Sequence, residues 1–157
     1  MNELKRIMAA IDLSDYSPSV IEYAGTLCKS LGAELVIVNV INQRELDGIK
    51  TVQLFAQCKL LEEDVVKRQK AERKDKLNML IDRFELKDLP CTIVFRVGIP
   101  YEQLIQSAKD ENVQMVVMGP KGRGNVPGVR FGSAAEKMFR HCPVPLLSIR
   151  GSLHGRG

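Results

Sequence analysis

Apolar residues form five short runs along the chain, at 4–13, 34–41, 91–95, 113–118 and 143–149. Each run is largely continuous in its apolar residues and does not alternate cleanly with polar ones. Continuous runs of this length, bounded by turn residues, are typical of strands that are buried on both faces in a parallel sheet. The fifth run begins with Pro143 and Pro145, and proline in a strand favours an edge position.

Between these runs, apolar residues recur every three or four positions, which predicts helices. The first helix is expected to have Ser17 as its N-cap, Pro18 as its first residue and Gly32 as its C-cap. Later helices are predicted over 54–84, 101–112 and 134–141, and the polar stretch 42–51 is predicted to be a loop. Segment 62–88 carries eight acids and eight bases, which is typical of a solvated helix face.

The alternation of strands and helices predicts an α/β fold with a parallel sheet covered on both faces. Ligands of such sheets bind beyond the carboxyl ends of the strands, where the strand order reverses. Asp12 ends the first run and Gly119 follows the fourth. If these two strands are neighbours, Asp12 and Gly119 should face each other across one crevice.

The composition, 45% apolar and 27% charged over 157 residues, is typical of one globular domain. No apolar run approaches the roughly 20 residues that span a bilayer, so no membrane partner and a cytoplasmic location are expected. We expect a single domain over 1–150 and a flexible tail over 151–157. The four cysteines have no CxxC spacing and are expected to be free thiols, and neither histidine is assigned a metal or catalytic role.

The net charge is +4, and the basic excess is local. From residue 119 onwards there are seven Lys or Arg residues and one acid, Glu136. This placement indicates a bound anion more than a nucleic-acid surface, because no aromatic or zinc-finger signature accompanies the charge.

The basic stretch includes the segment 119–133, GPKGRGNVPGVRFGS, which we call the glycine loop. It holds five of the chain's twelve glycines, together with Lys121, Arg123 and Arg130. Glycines allow backbone N–H groups to converge on an anion, and the start of the next helix adds unpaired donors and a positive dipole end. The glycine loop is therefore suited to binding phosphate.

The spacing Gly119-x2-Gly122-x9-Gly132-Ser133, with the flanks VVMGPKGRG and GSAAEKMFRHCPVPLLSIR, resembles the signature of the universal stress protein family in its ATP-binding branch. The stretch IMAAIDLSDYS resembles the opening strand of the family and its acid. The resemblance implies a five-stranded parallel sheet of order 3-2-1-4-5 with helices on both faces, the adenine nucleotide alpha hydrolase-like fold. It also implies a bound adenine nucleotide and a homodimer paired through the fifth strand.

Carried over by position, the resemblance places Asp12 and the backbone around Val40 at the adenosine part. The residues it places at or close to the phosphates are Met118, Gly119, Gly122, Gly132, Ser133 and Ala134. Of the loop cations Lys121, Arg123 and Arg130, only one is expected to contact the ligand, and Arg123 is assigned to the site; the alternative is that these cations are solvated. Two further alternatives stay open. Ser133 also fits the N-cap of a capping box with Glu136, and Asp12 also fits an acid that caps the next helix or makes a loop hydrogen bond. Pro120 removes one backbone donor beside Gly119.

The chain carries no Ser–His–Asp set and no GxxxxGK[ST] motif, so no catalytic and no metal-binding residue is assigned. The hypothesis is an ATP-binding, homodimeric stress-response and signalling protein that hydrolyses ATP slowly at most. Its ligand is ATP, or AMP or ADP, with or without Mg²⁺, and its signalling partner is unknown. The alternative is a nucleotide-free dimerisation and protein-interaction module of the same fold.

Overall fold

A computed structural model describes residues 3–57, 61–121 and 132–151. Five parallel strands form one sheet in the order β3-β2-β1-β4-β5. The strands are β1 (Arg6–Ala10), β2 (Glu34–Asn42), β3 (Cys91–Gly98), β4 (Met115–Met118) and β5 (Leu146–Ser148). The helices are α1 (Ser17–Leu31), α2 (Gln43–Phe55), α3 (Glu62–Arg83), α4 (Pro100–Asp110) and α5 (Ser133–His141). The predicted fold class and strand order are confirmed.

The strand order reverses at β1. The chain moves outward from β1 through β2 to β3, then crosses back to place β4 on the other side of β1. Ala9 pairs with Val117 of β4 and with Ile37 of β2. The carboxyl ends of β1 and β4 therefore flank the point at which α/β sheets bind their ligands.

The core consists of two layers, one on each face of the sheet. One layer contains Ile7, Ala9 and Ile37 together with residues of α1 and α3, and the other contains Met8, Val36 and Val38 together with residues of α4 and α5. Neighbouring residues of β1 and β2 thus enter opposite layers, as the period of two along a strand requires. Burial on both faces explains why these strands are continuous apolar runs.

The middle of the chain differs from the sequence prediction. Residues expected to form a loop at 42–51 belong to α2, and the single helix predicted over 54–84 is two helices, since α2 ends at Phe55 and α3 begins at Glu62. Leu54 and Leu61, two of the apolar residues at helical spacing in the predicted helix 54–84, are exposed. α2 buries only Leu46, so this helix has no apolar periodicity to reveal it.

Several boundaries also shift. The N-cap of α1 is Tyr16, one residue before the predicted Ser17, whereas Gly32 ends α1 with a left-handed φ of 65° as predicted. β5 is shorter than the apolar run and begins after both prolines. Cys28, Cys91 and Cys142 are free thiols; Cys58 and most of the predicted tail lie outside the described residues. No helix within the described ranges is long and apolar enough to cross a membrane.

Candidate functional site

A cavity of about 360 Å³ lies at the carboxyl ends of β1, β2 and β4. This volume falls within the range of small-molecule sites, roughly 300–1,000 Å³. Predicted site residues that line the cavity are Asp12, Val40, Met118, Gly119, Gly132, Ser133 and Ala134. The predicted site residues Gly122 and Arg123, and the loop residue Arg130, lie outside the described residues. Lys121 is half-buried and also lines the cavity.

Asp12 follows β1 in a tight turn that leads into α1. Its Oδ1 accepts hydrogen bonds from the Ser14 N–H at 2.9 Å and from the Ser17 hydroxyl at 3.3 Å. The neighbouring Leu13 has a left-handed φ of 62°, which is uncommon for a residue with a side chain. Asp12 therefore makes the loop hydrogen bonds that were one alternative for this acid, whereas the N-cap of α1 is Tyr16, and Asp12 lines the same cavity as Gly119.

The main-chain groups of Val40 face the cavity because β2 extends beyond the end of β1. The Ile11 N–H donates to the Val38 carbonyl at 3.0 Å, so the main chain of Val38 faces β1. Main-chain groups alternate in direction along a strand, which turns those of Val40 to the same side. The paired register of β1 with β2 ends at Ala10 and Val38, so the N–H and carbonyl of Val40 lie beyond the end of β1, at the cavity.

Gly119 directly follows β4, where the chain passes close to Tyr16. A Cβ added to Gly119 would lie 2.9 Å from the Tyr16 Cβ and 3.3 Å from its Cγ. The absence of a side chain at Gly119 is thus required by packing inside the protein, in addition to any approach to a ligand.

The start of α5 forms the opposite wall. Gly132 is the N-cap, and its N–H donates to the Pro120 carbonyl at 2.9 Å, which joins the two ends of the glycine loop. Ser133 is the first residue of α5 and is exposed, and the N-cap is Gly132, so the alternative in which Ser133 is the N-cap of a capping box with Glu136 is wrong. The first N–H groups of a helix have no partner within it, and those of Ser133 and Ala134 belong to this turn. This wall is suited to an anion.

Three residues near the cavity were missed in the sequence. Asn39 is fully buried; its Nδ2 donates to the Ile11 carbonyl at 2.7 Å, and its Oδ1 accepts from Arg73 Nη1 at 3.0 Å. Arg73 Nη2 donates to Glu45 Oε2 at 3.1 Å. Asn39 could have been noticed as the one polar residue within the apolar run VIVNVI. Arg73 could not, because the surrounding charges of α3 conceal it.

The arrangement offers backbone hydrogen-bonding groups at one end and unpaired N–H groups at the other. Asp12 and Glu45 are the acids among the described lining residues. The described part of the chain holds no group of three or more His, Cys, Asp or Glu side chains that could bind a metal. The cavity is therefore suited to a ligand that has a hydrogen-bonding part and an anionic part.

Comparisons with protein-family models, curated proteins and solved structures all point to one family. The model of the universal stress protein family matches residues 3–150. Universal stress protein MJ0577 of Methanocaldococcus jannaschii is 23% identical, over 93% of this chain and 94% of its own length. A solved structure of MJ0577 has a TM-score of 0.78 at 22% identity, with 97% of this chain and 99% of that chain covered.

Two further structures of similar fold contain nucleotides. One is a universal stress protein in complex with cAMP, with a TM-score of 0.67 at 17% identity, covering 95% of this chain and 98% of that one. The other is the Archaeoglobus fulgidus universal stress protein in complex with dAMP, with a TM-score of 0.62 at 17% identity, covering 96% and 100%. Since the family model spans nearly the whole chain and the strand order agrees, the chain belongs to the universal stress protein family.

Proposed function

We propose that this protein binds an adenine nucleotide, ATP or AMP or ADP, in the cavity at the carboxyl ends of β1, β2 and β4, and that it acts as a homodimeric module in stress response and signalling. The observation that carries this proposal is the pairing, in one cavity, of the main chain of Val40 with the N-terminus of α5. The first can hydrogen-bond a base, and the second can hold phosphate.

The ligands of structural neighbours support the class of nucleotide. Both cAMP and dAMP, which are bound in two of these structures, carry adenine and a single phosphate. They support adenine as the base and leave the number of phosphates to be measured on this protein.

In the proposed complex, Asp12 and the main chain of Val40 contact the adenosine part. The residues proposed at or near the phosphates are Met118, Gly119, Gly122, Arg123, Gly132, Ser133 and Ala134. The Gly132 N–H is engaged by the Pro120 carbonyl, so the N–H groups of Ser133 and Ala134 are the main donors from α5. Hydrolysis is slow at most, because Asp12 bonds Ser14 and Ser17 and Glu45 bonds Arg73, which leaves neither acid placed as a general base at the phosphates.

Mass spectrometry of nucleotides released when the purified protein is denatured tests the proposal. Titration calorimetry with ATP, ADP and AMP, each with and without Mg²⁺, then measures affinity. An adenine nucleotide in the released fraction, or saturable binding, supports the proposal. A protein that releases none and binds none at roughly millimolar concentration contradicts it and indicates the nucleotide-free module.

Ser133→Glu tests whether the phosphates bind at the N-terminus of α5. A carboxylate in the first turn of α5 stabilises the helix N-terminus by about 0.3–1 kcal/mol, so the fold should be retained. The same charge repels phosphate, and we expect the affinity for ATP to fall about tenfold or more. Ser133→Gln, which is neutral and of similar size, is the control and should bind within about threefold of the parent protein. Equal binding by both variants would place the phosphates elsewhere.

A further inference from the structure

Arg73 is buried, although it lies on α3, where most charged side chains are exposed. Besides Asn39 and Glu45, its guanidinium approaches the Val40 carbonyl, with Nη1 at 3.4 Å from that oxygen. The Gln69 Oε1 lies 3.4 Å from Nη2 on the same helix. Burying a charged group is costly unless it is hydrogen-bonded and paired. Arg73 therefore fixes the relative positions of β2, α2 and α3.

This group of residues lies at a defined end of the cavity. Val40, Glu45 and Arg73 all line it and all belong to the β2 side of β1, whereas Gly119 and α5 belong to the β4 side. A nucleotide with its phosphates at α5 must extend its nucleoside end across β1 towards β2. The base then reaches the Val40 carbonyl and the Glu45 carboxylate.

We propose that Glu45, oriented by Arg73, acts with the Val40 carbonyl as an acceptor pair for the exocyclic amino group of the base, and so selects a 6-aminopurine over a 6-oxopurine. This inference rests on the proposed function and adds the element that recognises the base. A carboxylate has about four acceptor positions, so Glu45 can accept a hydrogen bond from a ligand while it stays paired with Arg73. A 6-oxopurine presents an oxygen to both acceptors, and a site built to accept a hydrogen bond rejects a ligand that cannot donate it.

A structural role for Glu45 makes a different prediction. Glu45 lies in the first turn of α2, where an acid stabilises a helix whatever the ligand. If this were its entire role, replacing it would change stability and leave the preference between bases unaltered. The ratio of the affinities for a 6-aminopurine and a 6-oxopurine nucleotide, measured on one variant of Glu45, separates base recognition from helix stabilisation.

The experiment measures the Kd of ATP, of inosine triphosphate (which carries an oxygen in place of the amino group) and of 2′-deoxyATP by calorimetry on the full chain. We expect the parent protein to bind ATP about tenfold or more tightly than inosine triphosphate. Glu45→Gln keeps the size and supplies an amide that can donate to the oxygen, so the ratio should fall by about threefold or more, and the unchanged Val40 carbonyl retains the remaining preference. Glu63→Gln, the same change at an exposed position of α3, should retain the parent ratio.

Four outcomes overturn the inference. Equal affinity of the parent protein for ATP and inosine triphosphate would do so, as would an unchanged ratio in Glu45→Gln; in both cases ATP binding, and with it the proposed function, stands. A Glu45→Gln protein that changes only the ratio of ATP to 2′-deoxyATP would assign Glu45 to the sugar. Absence of any nucleotide binding by the parent protein rejects the proposed function and the inference together.

Arg73 is tested as a positioning residue. Arg73→Met preserves much of the apolar stem but cannot hold Glu45, and we expect the ratio of affinities for ATP and inosine triphosphate to fall towards one. Arg73→Lys retains a donor and should restore part of that ratio. Circular dichroism shows whether both variants are folded. A folded Arg73→Met protein with the parent ratio would show that Glu45 acts without Arg73.

Discussion

At the scale of single residues, Gly119 shows how one position meets two requirements. The sequence assigns it to the ligand, because a residue without Cβ lets the backbone approach phosphate. The structure adds Tyr16, whose Cβ would lie 2.9 Å from an added Cβ. Contacts shorter than 3.0 Å force one of the two backbones to move, since neither carbon is at the end of a flexible side chain.

We predict that Gly119→Ala lowers the free energy of unfolding by about 1–3 kcal/mol, as overpacking does elsewhere. Denaturation by guanidinium chloride without nucleotide measures this. Tyr16→Gly removes both crowded carbons at an N-cap, where glycine is tolerated. In the Tyr16→Gly background, Gly119→Ala should cost less than about 0.5 kcal/mol. An equal cost in both backgrounds would mean that Tyr16 is not the obstacle.

The burial of Cys28 makes its contribution to the stability of the fold depend on pH. Its side chain is fully buried in the layer beneath α1, and desolvation, followed by the nearby Cys91 thiol, raises the pKa of the Cys28 thiol from 9.0 to about 12. A raised pKa means that folding favours the protonated thiol. Its contribution to stability is complete below pH 9 and is lost as the pH rises from 9 towards 12, because the unfolded chain ionises first.

We therefore predict that Cys28→Ala is destabilising at pH 8, through the cavity it leaves, and that this destabilisation relative to the parent protein shrinks between pH 9 and pH 11. Urea denaturation of both proteins across this range measures the difference in their free energies of unfolding. The contributions of the other titrating groups are common to both proteins and largely cancel in this difference. A difference that stays constant from pH 8 to pH 11 would contradict the raised pKa of Cys28.

At the scale of elements, α2 is the clearest departure from the sequence prediction. It buries one side chain, Leu46, and exposes Val52, Leu54 and Phe55, so helical periodicity could not identify it. The local signal that was present is Asn42, whose side chain accepts a hydrogen bond from the Arg44 N–H at 3.0 Å. A helix with so little burial depends heavily on its cap and on the Glu45–Arg73 pair.

We predict that Asn42→Ala destabilises α2 by about 1 kcal/mol, the usual value of an N-cap, and leaves the sheet intact. Hydrogen exchange should show faster exchange of the amides of α2, with unchanged protection in β1 and β2. Asn78→Ala, at an exposed site in α3, is the control and should leave α2 unaffected. Unaltered exchange in α2 after Asn42→Ala would show that tertiary contacts alone hold this helix.

The sequence predicted all five strands because each lies in a short, mostly apolar run; β1, β2 and β4 are largely buried, whereas the edge strands β3 and β5 are only partly buried. It also predicted that Asp12 and Gly119 lie at one cavity, because both residues follow the carboxyl ends of neighbouring strands. It did not reveal Arg73, because burial of that side chain depends on β2 extending past β1, which is a property of two strands together. The hydrogen bond between Gly132 and Pro120 likewise depends on two parts of the chain that meet only in the folded protein, so the sequence did not reveal it.

At the scale of the whole molecule, β5 is an edge of the sheet. The Ile149 N–H donates to the Met118 carbonyl, and the Pro145 carbonyl accepts from the Val116 N–H. Alternation along the strand turns the main chains of Leu146 and Ser148 to the outer side. These are the groups that a second copy of β5 would use in the proposed homodimer.

We predict that Ser148→Pro, which removes an outward N–H and leaves the bonds to β4, converts the dimer to a monomer. Light scattering on size-exclusion fractions measures the mass, and calorimetry checks that nucleotide binding survives. Ser148→Ala keeps the N–H and should remain dimeric. A Ser148→Pro protein that keeps the mass of a dimer would place the interface on another surface, and a parent protein with the mass of a monomer would contradict the proposed homodimer.

The bond from the Gly132 N–H to the Pro120 carbonyl has an evolutionary consequence. It joins both ends of the glycine loop to the sheet and to α5 within the protein itself, so a bound ligand does not have to bring those ends together. The entropy of closing a loop rises only about 0.6 kcal/mol for each doubling of its length. Insertions between Arg123 and Gly132 should therefore leave the fold intact, with Ser133 and Ala134 in their positions.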